Sequence, residues 1–162
     1  MSNFEPRDPE WDAKVRASFN RQTVMEMIGA RIAALRPGVC EIELPYRLDL
    51  CQQHGFLHAG ITTTIADSAA GYAAFSLMPP GASVLTVEFK VNLMAPAAGE
   101  RFLARAKVVK PGRTLTVVDA EVVAADKGAE KVVAHMLATM MCLDNAPMTA
   151  PDKRASIIVS PP

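Results

Sequence analysis

The segment ITTTIADSAAGYAAFS, residues 61–76, determines the architecture of this chain. It opens with β-branched threonines at 62–64, which are poor helix formers, so it could begin as a strand. Its length and its alanine-rich continuation favour a helix. On a helix, Ile61, Ile65 and Tyr72 share one apolar face. Small residues share the opposite face, with a single carboxylate among them: Gly60, Thr63, Asp67, Ala70, Gly71 and Ala74.

Alternating apolar and polar residues predict strands on both sides of this helix. Before it, a strand that ends at Pro45 follows the Pro37-Gly38 turn. After it, residues 84–93 alternate strictly, which places Thr86 on the polar face of that strand. Three more strand segments follow after short turns, and the four together suggest an antiparallel meander: 101–110, 114–125 and 131–143.

The amino-terminal segment carries a helical pattern. Apolar residues recur at three- and four-residue steps over residues 8–31, and Gly29 is expected to end one helix there. The predicted fold class is α+β: an antiparallel sheet of about six strands wrapped around a central helix, with an extra N-terminal helix. We expect one domain at residues 29–144, a helical extension at 1–28 and a poorly ordered tail at 145–162.

Composition excludes several classes of protein. The chain has 162 residues, and 50% of them are hydrophobic, which is too many for a disordered chain. Its 17 Lys+Arg are balanced by 17 Asp+Glu, which argues against a polybasic nucleic-acid binder. Aromatic residues at 6% also disfavour a base-stacking surface. We see no signal-like or membrane-spanning segment, and three irregularly spaced cysteines do not suggest a disulfide framework. We therefore expect reduced thiols, a cytoplasmic location, and no nucleic-acid or membrane partner.

The zero net charge conceals two unlike regions. Between Arg47 and Lys90 there is no Lys or Arg, and Asp67 is one of only three acids. From Lys90 to Arg113, six basic residues accompany one acid, an excess of five positive charges. An isolated carboxylate is thus followed by a basic segment, a pattern that is compatible with an anionic ligand.

The turn that leads into the central helix carries the candidate chemistry. Its sequence is Gln52-Gln-His-Gly-Phe-Leu-His-Ala-Gly60. A glycine-bearing turn at a helix start presents unpaired backbone N–H groups, which form an oxyanion hole when they point at a carbonyl. Asp67 lies too deep in the helix to be a cap, and no cation lies near it in sequence, so it is a candidate base or nucleophile. An Asp in an alanine-rich helix is also often structural.

This pattern resembles the hotdog-fold acyl-CoA thioesterases of the phenylacetic-acid-pathway (PaaI-like) group, in the 4-hydroxybenzoyl-CoA thioesterase superfamily. The resemblance covers residues 28–143 and rests on Q-x-x-G-x-x-H-A-G, the Asp nine residues after His58, T-V-E-F-K-V-N-L-M-A-P and V-V-K-P-G-R-T. It implies a hotdog fold and hydrolysis of an acyl- or aryl-CoA thioester to the free acid and coenzyme A. It implies no cofactor and no metal, since coenzyme A is part of the substrate.

The same resemblance implies a role for each site residue. The Ala59 backbone N–H polarises the thioester carbonyl, and Asp67 acts as general base or nucleophile. Gln52 orients the carbonyl or the water, and Thr86 holds the water. His58 stiffens the turn or supports the oxyanion site. The family's usual His-Gly-Gly carries alanine as its second residue here, which keeps the N–H donor but could narrow the path to the thioester.

The resemblance also implies substrate-binding residues and an assembly. Gly60 belongs to the substrate-binding turn. Lys90, Lys110 and Arg113 lie where the phosphates of coenzyme A could cross a dimer surface, Arg113 first because guanidinium binds phosphate bidentately. Solvated strand-end charges are the alternative for each of these three. In this family the site forms between subunits, so we expect a homodimer, often paired into a dimer of dimers.

Other interpretations remain open. A hotdog hydratase or dehydratase would pair a catalytic His with an acid, which His58 and Asp67 could supply. A non-catalytic acyl-CoA binding protein would use the same groove. Cys51, His54 and His58 have metal-like spacing, but no further cluster completes the three ligands of a zinc hydrolase. Residues at the far end of the helix hint at a medium-length or aromatic acyl group: Tyr72, Phe75 and Met78.

Overall fold

A six-stranded antiparallel sheet packs against one long helix in this computed structural model, which describes residues 4–144. The elements are α1 (Trp11–Phe19), α2 (Thr23–Ile28), β1 (Arg31–Arg36), β2 (Val39–Pro45), a 3₁₀ turn (Leu48–Leu50), α3 (Ala59–Phe75), β3 (Ser83–Leu93), β4 (Arg101–Lys110), β5 (Leu115–Asp126) and β6 (Ala129–Leu143). This is the α+β hotdog arrangement that the sequence predicts, including the extra N-terminal helix. The poorly ordered tail expected at 145–162 lies outside the described residues.

The strands are ordered β1-β2-β4-β5-β6-β3. The meander prediction is confirmed for β4, β5 and β6, but it is wrong for β3, which pairs with β6 at the edge of the sheet. The connection between β3 and β4, residues 94–100, is longer than a tight hairpin, so it can carry the chain from the edge to the strand beside β2. The order leaves β1 and β3 as the two edges.

The amino-terminal segment contains two helices rather than the single helix that its periodicity predicts. Gln22 adopts an extended conformation between α1 and α2, and its side chain reaches Tyr72, where Nε2 donates to the hydroxyl over 2.9 Å. Tertiary contact with α3 therefore accompanies the break. Gly29 ends α2 as predicted, since its φ of 78° is left-handed and favours glycine.

The core lies between α3 and the inner face of the sheet. The predicted division of α3 into an apolar and a small-residue face is only partly right, because Ala70 and Ala74 are fully buried. Their small side chains let the sheet approach the helix closely. Thr63, Asp67 and Gly71 remain partly exposed on the side that the sheet leaves open.

The cysteines are unpaired, and the described helices are those of a folded domain rather than of a membrane span. All three cysteines carry free thiols, and burial raises the pKa of the Cys40 thiol to about 12, which makes it unreactive. Within residues 4–144, no helix combines the length and the apolar character that crossing a bilayer requires.

Candidate active site

The turn before α3 is closed by its own hydrogen bonds. The Gln52 N–H donates to the Phe56 carbonyl over 2.9 Å, and the Gly55 N–H donates to the Gln52 carbonyl over 3.0 Å. Gly55 has a φ of 80°, which a side chain would strain. The Gln52 Oε1 accepts from the His54 N–H. In the described part of the chain no group accepts a hydrogen bond from Gln52 Nε2, so this amide nitrogen is able to donate to a ligand.

His58 caps α3 with its ring. Its backbone is extended, with φ −62° and ψ 138°, and its Nδ1 accepts from the Gly60 N–H over 2.9 Å. A nitrogen that accepts this bond carries no proton, so the other ring nitrogen is the protonated one in the neutral imidazole. The His58 ring thus closes the start of α3, and the Gly60 N–H donates to His58 within the chain.

The Ala59 N–H is the remaining donor of the first turn. The Ile61 N–H donates to the His58 carbonyl over 2.9 Å, whereas the Ala59 N–H has no acceptor among residues 4–144. Ala59 lines an open cleft of about 530 Å³ together with Gln52 and Thr62. The rest of this cleft is apolar: Phe56, Leu57, Leu93, Met94, Ala95, Pro96, Ala97 and Val133. An unpaired backbone donor beside a free amide can bind a carbonyl oxygen.

The three threonines of α3 satisfy their hydroxyls within the helix. Thr62 and Thr63 each donate from Oγ1 to the Ala59 carbonyl over 2.8 Å, and Thr64 donates to the Gly60 carbonyl over 2.8 Å. These bonds satisfy the hydroxyls of the β-branched residues in the first turns of a helix, where a strand was also conceivable.

Asp67 lies in the middle of α3 with one side-chain partner. Thr86 Oγ1 donates to Asp67 Oδ1 over 2.8 Å, and no cation lies within ion-pair distance of Asp67 in the described chain. Burial raises the pKa of the Asp67 carboxyl above its ordinary value, and the Thr86 hydrogen bond opposes that rise. A desolvated carboxylate without a cation is suited to accept a proton or attack a carbonyl.

A β-bulge brings Thr86 to Asp67. The register of β3 on β6 shifts between Thr86, which lies opposite Met140, and Glu88, which lies opposite Thr139. Met140 is fully buried, so Thr86 faces the core side, and Thr86 Oγ1 also lies 3.4 Å from Met140 Sδ. The strict alternation, which placed Thr86 on one face with Glu88, is wrong at this point because the bulge adds one residue to β3.

The candidate residues form two groups within one chain. Gln52, His58 and Ala59 lie at the start of α3, while Asp67 and Thr86 lie more than two turns further along. The eight residues from Ala59 to Asp67 correspond to about 12 Å of helix rise. A single thioester carbonyl cannot reach both groups of the same chain.

The predicted phosphate-binding residues are also dispersed. Lys90 lies on the outer face of β3 opposite Leu137, whereas Lys110 ends β4 and Arg113 lies in the turn before β5. The structure does not bring Lys90 together with the other two.

Arg113 lines a second cleft, of about 420 Å³, at the far end of α3. Arg7 and Glu5 line it as well, and its floor includes Ala74 and Leu77. Arg7 Nε donates to the Leu77 carbonyl over 3.0 Å, which ties the amino-terminal segment to the end of α3. Sequence reasoning did not identify Arg7, because no local pattern links positions that lie 70 residues apart.

The aromatic residues that suggested an acyl pocket pack against the amino-terminal helices instead. Tyr72 makes an edge contact with Phe19 at 5.7 Å between ring centroids, and Lys14 Nζ lies 4.7 Å from the ring centre of Phe75. Both aromatic side chains are buried, as is Met78. Tyr72 and Phe75 therefore belong to the core beneath α1, while Met78 also lines the cleft at the far end of α3.

The histidines and cysteines do not assemble into a metal site. In the part of the chain that the structure describes, no three His, Cys, Asp or Glu side chains are grouped closely enough to hold an ion. His135 is partly exposed, and its Nε2 lies 2.8 Å from Asp119 Oδ2 on the outer face of the sheet.

Comparison with known proteins identifies the class. The family model described as thioesterase superfamily matches residues 54–131. The crystal structure of a thioesterase family protein from Silicibacter pomeroyi is 60% identical, covers 83% of this chain and 98% of its own, and superposes with a TM-score of 0.82. The PaaI protein from the phenylacetic acid degradation operon of E. coli, 20% identical over 85% of this chain and 96% of its own, shares the fold with a TM-score of 0.74.

A curated relative carries a specific activity in its name. The 1,4-dihydroxy-2-naphthoyl-CoA hydrolase of Listeria monocytogenes is 26% identical over 58% of this chain and 76% of its own length. With the relative at 60% identity, these matches show that the chain belongs to the thioesterase superfamily and is a thioester hydrolase by class.

Proposed function

We propose that this chain hydrolyses an acyl- or aryl-CoA thioester at a site that two copies of the chain complete together. The observation that carries the proposal is a pair of reactive groups: the Ala59 N–H at the start of α3, which has no acceptor among residues 4–144, and the desolvated Asp67 carboxylate in its middle, whose one side-chain partner is Thr86. Their separation of about 12 Å along the helix requires that each carbonyl meets Ala59 of one chain and Asp67 of the other.

The chemistry assigns one task to each group. The Ala59 N–H, with the Gln52 amide beside it, donates to the thioester oxygen and stabilises the charge that develops there. A water molecule donates one hydrogen bond to the Thr86 oxygen. Asp67 removes the other proton of this water, and the water oxygen bonds to the carbonyl carbon. Collapse of the intermediate breaks the C–S bond, and the proton leaves with the coenzyme A thiol. Attack by Asp67 itself through an anhydride is the alternative course.

The edges of the sheet support a homodimer. β1 has six residues with an arginine at each end, features that discourage further pairing. β3 has eleven residues and exposes large apolar side chains, Leu85 at 41% and Phe89 at 42%. A long apolar edge is a template for another strand. We therefore place the second copy along β3, which also carries Thr86.

Complementation between two inactive variants tests the shared site. Asp67→Asn removes the acid, and Ala59→Pro removes only the backbone donor, because proline is well tolerated at the first position of a helix. Each variant alone should be inactive. Co-expressed with two different tags and purified through both, the mixed dimer should recover about half the wild-type rate, because one of its two sites is intact. Full inactivity of the mixed dimer would contradict a site shared between chains.

Two assays separate the competing functions. A panel of short, medium, long and aryl acyl-CoAs with a thiol-trapping readout should show turnover, whereas tight binding without turnover across the panel would favour a binding protein. Incubation with a 3-hydroxyacyl-CoA should give no alkene product. Because His58 Nδ1 accepts from the Gly60 N–H, Nε2 carries the proton of the neutral ring, so the ring has no free lone pair to abstract a proton as the base of a dehydratase must, which favours hydrolysis.

A further inference from the structure

The Thr86 hydroxyl has two acceptors within reach of its single hydrogen. Its Oγ1 lies 2.8 Å from Asp67 Oδ1 and 3.4 Å from Met140 Sδ. A threonine hydroxyl rotates to suit its surroundings, and a thioether sulfur is a weak acceptor. An ionised carboxylate is the stronger acceptor of the two, so Asp67 takes the hydrogen as long as it is charged. The proposed hydrolysis so far leaves the Met140 sulfur without a task.

The strands on both sides of β6 hold Met140 in place. It lies opposite Thr86 on β3 and opposite Thr116 on β5. Its side chain is fully buried on the face of the sheet that packs against α3. A side chain in a close-packed interior has few other arrangements. The sulfur therefore stays beside the Thr86 hydroxyl whatever the charge of Asp67.

Asp67 changes its hydrogen-bonding requirement when it takes up a proton. The ionised carboxylate only accepts, whereas the neutral acid carries an O–H that donates. Thr86 is the one side-chain partner of Asp67 in the described chain. When the neutral acid donates to Thr86 Oγ1, the Thr86 hydrogen has to turn away, since two hydrogens cannot lie between the same two oxygens. Met140 Sδ is the second acceptor within its reach.

Charged side chains do not take part in this exchange. Burial raises the pKa of the Asp67 carboxyl, and the hydrogen bond from Thr86 opposes that rise. On β3, Glu88 and Lys90 lie opposite outward-facing residues of β6, and the buried residues of β4 and β5 include no titratable side chain. The other titratable groups on the elements packed against α3 are neutral or paired: the Cys40 and Cys142 thiols, whose pKa values are raised, the Tyr72 hydroxyl bound by Gln22, and Lys14 paired with Asp8.

We propose that Met140 is a positioning residue for the hydrolysis, because its sulfur accepts the Thr86 hydrogen while Asp67 holds the proton taken from water. As the water oxygen bonds to the carbonyl carbon, the water proton moves to Asp67. The neutral acid then donates to Thr86 Oγ1, and Thr86 donates to Met140 Sδ. When the proton leaves with the coenzyme A thiol, the Thr86 hydrogen returns to the ionised carboxylate. Neither the hydroxyl nor the sulfur gains or loses a proton. The assignment rests on the proposed function, which makes Asp67 the base.

Titration of the Asp67 carboxyl by NMR, with carboxyl-labelled aspartate, tests the exchange without substrate. Asp67→Asn identifies the signal. Met140→Leu conserves volume and removes the sulfur. The neutral acid then loses its hydrogen-bond arrangement, so the pKa should fall by about 0.5, the size of a weak hydrogen bond. The sign is diagnostic, because loss of a polarisable sulfur alone would disfavour the charged carboxylate and raise the pKa.

Met136→Leu is the matched control. Met136 is buried on the same face of β6 but lies opposite Val91, which has no hydroxyl. This variant should leave the Asp67 pKa unchanged, and urea unfolding should show a similar cost for the two leucine variants. In a Thr86→Val background, Met140→Leu should no longer lower the pKa, since the hydroxyl is absent. Where Met140→Leu fails to fold, Met140→Ile, whose β-branched side chain suits a strand, gives the same test.

Kinetics with the best acyl-CoA of the panel provide a second readout. Met140→Leu should move the acid limb of kcat/KM to lower pH and reduce kcat by about twofold to fivefold while KM holds, because Asp67 becomes a weaker base. An Asp67 pKa that stays or rises in Met140→Leu, an equal fall in Met136→Leu, or a fall that persists beside Thr86→Val overturns the proposal. The expected fall in a protein that turns over no thioester would instead overturn the proposed function and leave the hydrogen-bond exchange standing.

Discussion

The start and the middle of α3 supply the proposed chemistry in two different ways. At the start, the reactive group is the backbone N–H of Ala59, and the side chain of His58 only closes the turn. In the middle, the reactive group is the Asp67 side chain, whose environment depends on β3, a strand that pairs at the far edge of the sheet. A backbone donor tolerates a change of side chain, such as alanine for the family's glycine, whereas a carboxylate tolerates none.

The largest effect is expected where the side chain itself is essential. Asp67→Asn retains the shape and can still accept from Thr86, but it can neither take a proton nor attack a carbonyl. We expect kcat to fall by about 10²–10⁴, the usual contribution of a general base, or further if Asp67 is the nucleophile. Steady-state hydrolysis with circular dichroism as the folding control measures this, and an Asn variant with full activity would refute the assignment.

Removal of the backbone donor should have the next largest effect. Ala59→Pro should lower kcat by about 10²–10³, the cost of one oxyanion donor. The backbone of His58, at φ −62° and ψ 138°, already fits the conformation required before proline. Ala59→Gly is the matched control, because it keeps the N–H and should retain activity. Equal losses in both variants would show that the side chain, not the donor, matters there.

A smaller effect is expected on the pH dependence of the rate, which reports on Asp67 in the middle of α3 and not on the backbone donor at its start. The proposed mechanism requires ionised Asp67, so the rate should fall as the pH drops through the pKa of this carboxyl. Thr86→Val removes the hydrogen bond that lowers this pKa, so the acid limb should move to higher pH. We expect a loss of roughly twofold to tenfold near that limb, where one pKa unit corresponds to about 1.4 kcal/mol. Thr86→Ser should leave the profile of kcat/KM in place, and an unmoved limb in Thr86→Val would remove Thr86 from this role.

The cap at the start of α3 should affect stability more than chemistry. His58→Ala removes the acceptor for the Gly60 N–H and should lower the free energy of unfolding by about 1 kcal/mol. His58→Asn, a good capping residue, should restore most of it. Urea unfolding measures both variants. Loss of activity in His58→Asn at full stability would instead indicate that the ring contacts substrate.

The smallest expected effect is on the stability of the fold, because burial disfavours the ionised Asp67 carboxylate in the folded state. Its pKa is raised in the folded state, so its contribution to stability is fully present below the unfolded pKa and is lost as the pH rises through the folded pKa. Asp67→Asn should therefore raise Tm at neutral pH by about 2–4 °C per kcal/mol removed, and the gain should vanish in acid. A gain that is the same at every pH would have another cause.

Most of the fold could be predicted from periodicity, because apolar residues recur along α3 and the strands at the spacing that places them on one buried face of each element. Residues 101–110 were predicted as a strand and form β4 with the same ends. The break at Gln22 and the place of β3 beside β6 were not predictable, since each depends on a contact between residues far apart in sequence. The burial of Ala70 and Ala74 likewise depends on how far the sheet extends around the helix.

The sequence alone determined which chemical groups are available: a glycine-bearing turn before a helix, a lone carboxylate within it and a basic segment after it. Those features are local, so they can be recognised without coordinates. Only the tertiary structure decided how they are arranged. The bulge in β3 turns Thr86 towards Asp67, the helix rise separates Asp67 from Ala59, and the fold brings Arg7 beside Arg113. Each of these depends on the register or on contacts between distant residues, which local patterns do not encode.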